Sequence, residues 1–526
     1  MAVFSTFKGM RPAYGDLTNT QDNSAAFASN CDLSTGSIIP RGINTARQAT
    51  TILPTTQTKV VRFGAQFVGL PAVSVTRSPL VDDAFSRIYY NDAAGASWVR
   101  YGPAADAVVR RLGVPRPGGL TVDRRQPTLG NPTGESPVFT FFAVTWVNTA
   151  GEEGAPSDPS NEVEMYSNTV ARVLRPAAPA TNYGVNRWRI YRANDGVWQF
   201  VSEHSIATTR VDVLRDAPLG EELETLDWDV PPSRLLGLSM SPNGFLTGYF
   251  DRTVCFSESY VPHAWPVIYR RNTRFDIMGV TNTRSGSIIV TTGKPYVALG
   301  SAPSAMQLIE GDTDYGCTSR ESIVGMGEFA LYASQVGIMM VDSSGTTRNM
   351  TEGLVRPDQW PTLFPPATIR AVRFQDRYLF QAGSAGDVYS IDTTNGHMTQ
   401  ITPKFTLPLN TEYDTETNQT YYVTNREIWG LSLASRQASW RSAVFTGAKR
   451  INPHWAQVAA DNYPITLKVT AIGEGATVER TYSVTDKRPF RLHPMASGGV
   501  SYAVDTQFKV DRIVLTNDES ELMAWQ

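Results

Sequence analysis

Short runs of β-branched and aromatic residues, bounded by Gly, Pro, Asn or Asp, recur along almost the whole chain. Runs of this kind are typical of strands, and their density favours a sandwich, barrel or propeller over an α/β fold. Helical periodicity is almost absent; its best candidate is 22–30, where Ala25 and Ala26 follow an Asp/Asn start and predict a short helix. The clearest predicted strands are 59–67, 139–148, 287–292, 329–333, 337–341, 377–381, 388–391, 420–424, 465–471 and 512–516.

Residues 235–433 contain a repeating pattern of a β-run, a turn and further β-runs. The units start at Leu235, Ile277, Ile323, Ile369 and Asn410, roughly 40–46 residues apart, which is the period of four-stranded propeller blades. A ring of such sheets buries both faces of each sheet. The spacing therefore favours a β-propeller-like body, with an ordinary antiparallel sandwich of evenly spaced hairpins as the alternative.

A different pattern precedes the repeats. The aromatic run 139–148 leads into a turn, Gly151–Ser157, of the form G-E-x-x-x-x-S, and a hairpin at 186–201 turns at Asn194-Asp195-Gly196. Both features resemble fibronectin type III domains. The sequence thus predicts an N-terminal segment with the first propeller strands (1–114), a fibronectin type III-like insert (115–230), propeller blades (231–435) and a C-terminal β-sandwich (436–526) that ends in a short helix at 519–525.

Charge is unevenly distributed along the 526 residues. The formal net charge is −3, but residues 131–230 hold 15 acidic and 7 basic side chains, so the remainder is close to +5. A nucleic-acid coat would be strongly basic, so this class is excluded.

No apolar run is long enough to span a bilayer, and residues 1–10 lack the core of a secretion signal. Cys31, Cys255 and Cys317 are interpreted as buried hydrophobes made in a reducing cytoplasm.

Candidate chemistry is sparse. The neighbouring carboxylates Asp82-Asp83 and Glu152-Glu153 would point to opposite faces of a strand. The alternating set at 412, 414 and 416 is interpreted as a solvated loop, and Glu310–Asp314 as a solvated turn rather than a calcium site. The sequence lacks a nucleophile elbow and a phosphate loop. It therefore predicts no enzyme, and no catalytic, cofactor-binding or metal-binding residues, with a propeller glycosidase as a weak alternative.

The chain is rich in aromatic residues, with 11 Trp, 21 Tyr and 22 Phe. In a many-bladed β protein most of them are expected in the core. Tyr89-Tyr90 or Trp198 could instead form a sugar-binding platform, which supports a second hypothesis, a host-receptor or polysaccharide-binding component.

The order of motifs resembles structural proteins from the tails of tailed bacteriophages, in particular the nozzle, or tail tubular protein B, of short-tailed phages. Those proteins begin with F-x-G-(M/I)-x-P and continue to A-x-x-A-x-N and (C/V)-x-L-x-x-G-x-(L/I)-x-P. The matching stretches here are 7–12, 25–41, 141–157, 188–192, 226–232, 238–244, 254–266 and 488–492.

The resemblance implies a hexameric subunit of the virion tail, made in the host cytoplasm, with a propeller-like body, accessory sandwiches and a lumen through which double-stranded genomic DNA is ejected. The implied partners are further copies of the chain, the adaptor and the tail fibres, with no membrane insertion. A near-neutral wall agrees with this role, because each neutralised phosphate adds affinity and would hold back the passing DNA.

Overall fold

The computed structural model describes residues 2–4, 6–12, 23–49, 53–80, 82–125, 132–451, 453–472, 477–495 and 497–523. Their secondary structure is nearly all β, and the two α-helices found there, Trp360–Leu363 and Glu519–Met523, span only four and five residues. Five short 3₁₀ segments lie at Thr181–Tyr183, Val267–Tyr269, Pro303–Ala305, Arg320–Ser322 and Pro366–Thr368. None of the described helices is long and apolar enough to cross a membrane.

Contacts divide the chain into two compact units. The first comprises residues 1–70, 290–295 and 310–526, and the second comprises 71–289 and 296–309.

Six sets of four strands, which we call meanders 1 to 6, form in the described part of the chain. Within each set, consecutive strands pair side by side, as in the blades of β-propellers. Meander 6 departs from chain order in one respect, because its fourth strand comes from near the start of the chain.

The second unit contains meanders 1 and 2 and most of meander 3. Their strands are Ser74–Arg77, Arg87–Asn91, Ser97–Tyr101 and Val109–Arg111; Leu236–Met240, Leu246–Phe250, Thr253–Phe256 and Arg271–Asn272; and Ile277–Asn282, Gly286–Thr291, Tyr296–Leu299 and Gln307–Glu310.

The first unit contains meanders 4 to 6. Their strands are Val324–Gly325, Phe329–Ala333, Ile338–Asp342 and Thr347–Asn349; Ile369–Phe374, Arg377–Ala382, Val388–Asp392 and Met398–Ile401; and Glu412–Asp414, Gln419–Thr424, Glu427–Ala434 and Gly42–Ala49.

The predicted repeats correspond to the observed sheets. Meanders 2 to 6 begin within one to two residues of the predicted starts, at Leu236, Ile277, Val324, Ile369 and Glu412. Their inner faces are strongly apolar, as in meander 4, where Leu331 and Ile338 are fully buried. The prediction of an all-β chain built from such repeats is confirmed.

The described residues of the insert, 115–125 and 132–230, fold as antiparallel sheets around a core that includes Trp146, Trp188 and Ile190. The predicted hairpin turn is present, with Asp195 and Gly196 both at positive φ, as a type I′ turn requires. The strands are Thr121–Arg125, Val170–Leu174 and Arg210–Leu214 in one sheet; Phe142–Asn148, Val185–Asn194 and Val197–Ser205 in another; and the pair Val138–Thr140 and Val163–Met165.

The C-terminal region joins the beginning of the chain in two sheets. Val510–Thr516 pairs with Ala2–Phe4 and with Trp455–Ala460, which also pairs with Phe490–Arg491. The other sheet continues meander 5 through Ala25–Ser29, Ala438–Ser442, Ser497–Thr506, Ile465–Ile472 and Thr477–Val484, with Phe445–Ile451 paired to Ser497–Thr506. The pairs Cys31–Asp32 with Ile39–Pro40 and Lys59–Phe63 with Gln66–Leu70 complete the first unit.

Three local predictions are wrong. The predicted helix at 22–30 contains instead the strand Ala25–Ser29, because this segment pairs with Ala438–Ser442 on one side and meets Gln400 on the other; residue 22 lies outside the described residues. A helix this short is marginal without tertiary support, so two open strand edges decide its conformation. The predicted strand 59–67 is a hairpin that turns at Gly64, and 139–148 is interrupted at Phe141. The terminal helix is present at Glu519–Met523, and residues 524–525 lie outside the described residues.

Candidate functional site

A cluster of buried ionisable side chains lies in the second unit, where the insert's turn at 149–157 meets meander 1; we call it the joint. Arg87 is at its centre. Its Nε donates to Oδ2 of Asp83 at 2.9 Å, and its Nη1 donates to Oε1 of Glu152 at 2.8 Å. The three side chains are at most 10% exposed, so the charges meet in a poorly hydrated environment where pairing is strongly required.

The turn that presents Glu152 is held by Asn148 at the end of its strand. Asn148 Nδ2 donates to Oε2 of Glu152 at 2.7 Å, and the Glu152 backbone N–H donates to Oδ1 of Asn148 at 3.0 Å. Gly151 has φ of +82°, a conformation that a side chain disfavours. The G-E pair of the turn motif thus has a physical basis, since glycine makes the turn and the glutamate reaches Arg87.

Glu153 takes partners other than those of Glu152. Its carboxylate receives hydrogen bonds from Arg189 Nη1 at 2.6 Å and from the Tyr191 hydroxyl at 2.8 Å, and a third from Thr145. The prediction that these two neighbouring carboxylates do not converge is confirmed. The convergence that does occur, of Asp83 with Glu152 on Arg87, was missed, because no local pattern links residues 69 positions apart.

His263 is the histidine of the joint. It is 8% exposed, its Nδ1 lies 3.8 Å from Oε1 of Glu152, and its ring meets Trp228 edge-on at 5.6 Å between centroids. Its Nε2 is buried without a hydrogen-bond partner. Burial lowers the pKa of His263 despite the nearby Glu152 carboxylate, so the ring is neutral near pH 7.

The electrostatics of the joint favour fixed charges over proton exchange. Burial alone would lower the pKa of Arg87, but its hydrogen bond with Asp83 and the surrounding negative charge raise it above its ordinary value. Burial also raises the pKa of the Tyr89 and Tyr101 hydroxyls, which lack hydrogen-bond partners. The arrangement suits a permanent attachment of the insert's turn to meander 1.

The other residues selected from the sequence are dispersed. Tyr89 and Tyr90 are 0% and 4% exposed, so the expectation of a sugar platform there is wrong: their strand is buried on both faces. Trp198 is half-buried in the hairpin Val185–Ser205. Cys31, Cys255 and Cys317 are buried and free, as predicted, and burial raises the pKa of Cys31 to about 12.

The remaining acidic segments bind basic or polar neighbours. Glu412–Asp414 is a strand rather than the predicted loop, because its side chains pair with the hairpin at 59–70: Lys59 Nζ lies 3.0 Å from Glu412 and Arg62 Nη1 lies 3.3 Å from Asp414. In the 310–314 segment, Asp312 accepts hydrogen bonds from Thr347. Among the described residues there is no group of three or more His, Cys, Asp or Glu side chains arranged to hold a metal ion.

Comparison with known proteins adds little. No family model matches the chain, and no curated protein matches it either. Among solved structures, a streptogramin B lyase is 8% identical, with a TM-score of 0.30, over 75% of this chain and 98% of its own. The Neurospora crassa Pan2 WD40 domain is 8% identical with a TM-score of 0.29, over 68% and 88%. The AfRom2 CNH domain is 8% identical with a TM-score of 0.27, over 75% and 99%. TM-scores this low do not assign a fold, and the strand pairing of this chain defines its architecture instead.

Proposed function

We propose that the chain is a structural subunit of a bacteriophage tail, one of six copies in the nozzle or tube through which genomic DNA is ejected. The supporting observation is the position of the N-terminal motif residues that carry the resemblance. Trp440 Nε1 donates to the Lys8 carbonyl at 3.0 Å, and Phe7 packs edge-on against the Trp440 ring at 5.1 Å. Asn30 bonds to Thr402 and to the Gln437 carbonyl.

These contacts give the motif residues a structural role, because they hold the start of the chain against segments about 400 positions later. We also propose that the meanders are blades of a propeller-like body and that the insert is fibronectin type III-like. The closure of meander 6 by Gly42–Ala49 supports the first point. The second is supported by the sheet Phe142–Asn148, Val185–Asn194 and Val197–Ser205, whose pairing order matches strands C, F and G of immunoglobulin-like folds.

The insert also offers a contact surface for a second copy. Val138 and Phe139, on the strand Val138–Thr140, are 45% and 57% exposed, and Phe141, directly after that strand, is 38% exposed. The acidic charge of the insert is complementary to the basic remainder of the chain. A surface on the insert that meets a different surface of the next copy is a heterologous contact, which closes into a ring when the rotation permits.

The proposal is tested by electron microscopy of the purified full-length protein and of virions from the phage that encodes it. We expect six-fold rings or tubes, and the protein at a single axial position in the tail. Phe139→Glu should shift the assembly to monomers, whereas Leu363→Glu, at a 43%-exposed leucine of the helix Trp360–Leu363, should not. A monodisperse monomer that never enters virions would show the proposal to be wrong.

A further inference from the structure

The first unit contains a cavity of about 720 Å³, which we call the 405–429 cavity. Its walls come mainly from residues 55–58, the connection 405–410 that follows meander 5 and the hairpin of meander 6 around 422–429, and Thr45 and Arg370 complete the lining. The volume lies within the ~300–1,000 Å³ range of small-molecule sites.

The charged residues of the cavity are all basic. Arg370 and Arg426 line it, and its lining residues, all within the described part of the chain, include no Asp or Glu. Arg426 is fixed in place, because its Nε donates to the Leu53 carbonyl at 2.7 Å and its own carbonyl accepts from the Leu53 N–H at 2.8 Å. A fixed arginine in a wall without carboxylates favours an anionic ligand.

Two buried polar atoms of the wall lack partners. Nε of Arg370 and Oε1 of Gln57 are shielded from solvent and make no hydrogen bond within the protein. Leaving a buried donor or acceptor unpaired destabilises the folded chain, so two such atoms on residues of one cavity wall are available to a ligand that supplies their partners.

The rest of the wall combines aromatic rings with hydroxyl and amide groups. Phe405 and Trp429 are half-buried, each resting on the core of meanders 5 and 6. The Trp429 ring is held by a hydrogen bond from its Nε1 to Glu427 at 3.3 Å. The polar lining residues beside them are Thr45, Thr406, Thr424, Asn410 and Asn425.

We propose that the 405–429 cavity binds an acidic saccharide, a pyranose unit that carries a carboxylate. The carboxylate would accept from Arg370, a ring hydroxyl would donate to Gln57 Oε1, the C–H face would lie against Phe405 or Trp429, and the remaining hydroxyls would meet the Thr and Asn side chains. A phosphate ion alone would leave the aromatic wall unused. The site goes beyond the proposed tail function and does not depend on it.

The test is calorimetric titration of the full-length protein with tetragalacturonate and with a mannuronate tetramer, against maltotetraose as the neutral match and inorganic phosphate as the charge-only match. We expect at least one acidic oligosaccharide to bind roughly tenfold or more tightly than maltotetraose and phosphate, the difference made by one charge-assisted hydrogen bond. Arg370→Gln should abolish that preference, and Arg348→Gln, an exposed arginine of meander 4, should preserve it.

Trp429→Leu should weaken the binding of all the sugars. An unchanged melting temperature shows that this variant is still folded. If neither acidic oligosaccharide binds more tightly than maltotetraose, or if Arg370→Gln leaves binding as in the parent protein, the proposal is wrong. Phosphate that binds as tightly as the acidic sugars would also overturn it, since this would make the cavity an anion site without sugar recognition. None of these outcomes depends on the assembly of rings.

Discussion

The joint and the 405–429 cavity both place an arginine among aromatic residues, but they use it in opposite ways. Arg87 is enclosed by Asp83 and Glu152, which pair with its Nε and Nη1 atoms. Arg370 as a whole is only half-buried, but its Nε atom is shielded from water and has no hydrogen-bond partner. A buried charged group that is paired within the protein helps to hold the chain together. A buried polar atom without a partner lowers stability, but it is available to a ligand. The comparison predicts how each region responds to substitution.

Removing the central charge of the joint should have the largest effect. Arg87→Met leaves the buried carboxylates of Asp83 and Glu152 uncompensated, so we expect a loss of about 3–5 kcal/mol in the free energy of unfolding. Urea unfolding measures it. Arg252→Met, at a solvent-exposed pair with Asp276, is the control and should leave unfolding unchanged. An equally small effect of both substitutions would mean that the joint does not depend on its buried charges.

Acidification should weaken the joint through His263. Its pKa is lower in the folded chain than the ordinary 6.5, so the unfolded chain binds more protons between the two values and stability falls as the pH drops below about 6.5. Between pH 7 and pH 5 this group contributes a loss of at most about 2 kcal/mol. The groups around it are Glu152, Glu153, Arg87 and Trp228.

His263→Phe keeps an aromatic ring beside Trp228 but cannot take up a proton. Its unfolding free energy should therefore depend less on pH over this interval than that of the parent protein, as measured by urea titrations at a series of pH values. Parallel pH profiles for the two proteins would exclude His263 as the source of the acid sensitivity.

Substitution in a partly exposed ion pair should have an intermediate effect on the free energy of unfolding. Lys59→Glu places a negative charge opposite Glu412, and we expect a loss of about 1 kcal/mol. The exchanged double variant, Lys59→Glu with Glu412→Lys, should recover most of it. Thermal unfolding of the two single variants and the double variant gives the coupling, and additive effects would contradict a direct interaction.

Removing Arg370, whose Nε atom has no partner, should have the smallest effect on stability. Arg370→Met deletes a buried nitrogen that has no partner, so the free energy of unfolding should change by less than about 0.5 kcal/mol or increase. A loss comparable to that of Arg87→Met would show that Arg370 is part of the structure and not reserved for a ligand.

The fold could be predicted where apolar residues recur at regular spacing. Strands such as Phe329–Ala333 and Arg377–Ala382 were found this way, since a buried strand has a local signature of β-branched and aromatic residues. The outer strands Arg271–Asn272 and Thr347–Asn349 were missed because they are short and polar. The predicted domain boundaries and the tail assignment remain predictions.

The joint could be predicted only in part. The turn at Gly151 and Glu152 has a local pattern, but its partner Arg87 is a single arginine in an ordinary strand. The 405–429 cavity has no sequence signature, because residues 45, 57, 370 and 429 meet only after long-range pairing sets the register of Gly42–Ala49 against Glu427–Ala434.

The same pairing joins two strands that the ribosome synthesises at widely separated times. Gly42–Ala49 leaves the ribosome about 380 residues before its partner Glu427–Ala434, an interval of about 20–80 s at elongation rates of ~5–20 residues per second. An unpaired strand is a template for aggregation during such a wait. This one contains a single large apolar side chain, Ile43, and is otherwise small or polar. The sequence of Gly42–Ala49 is thus suited to a long exposure before Glu427–Ala434 is synthesised and pairs with it.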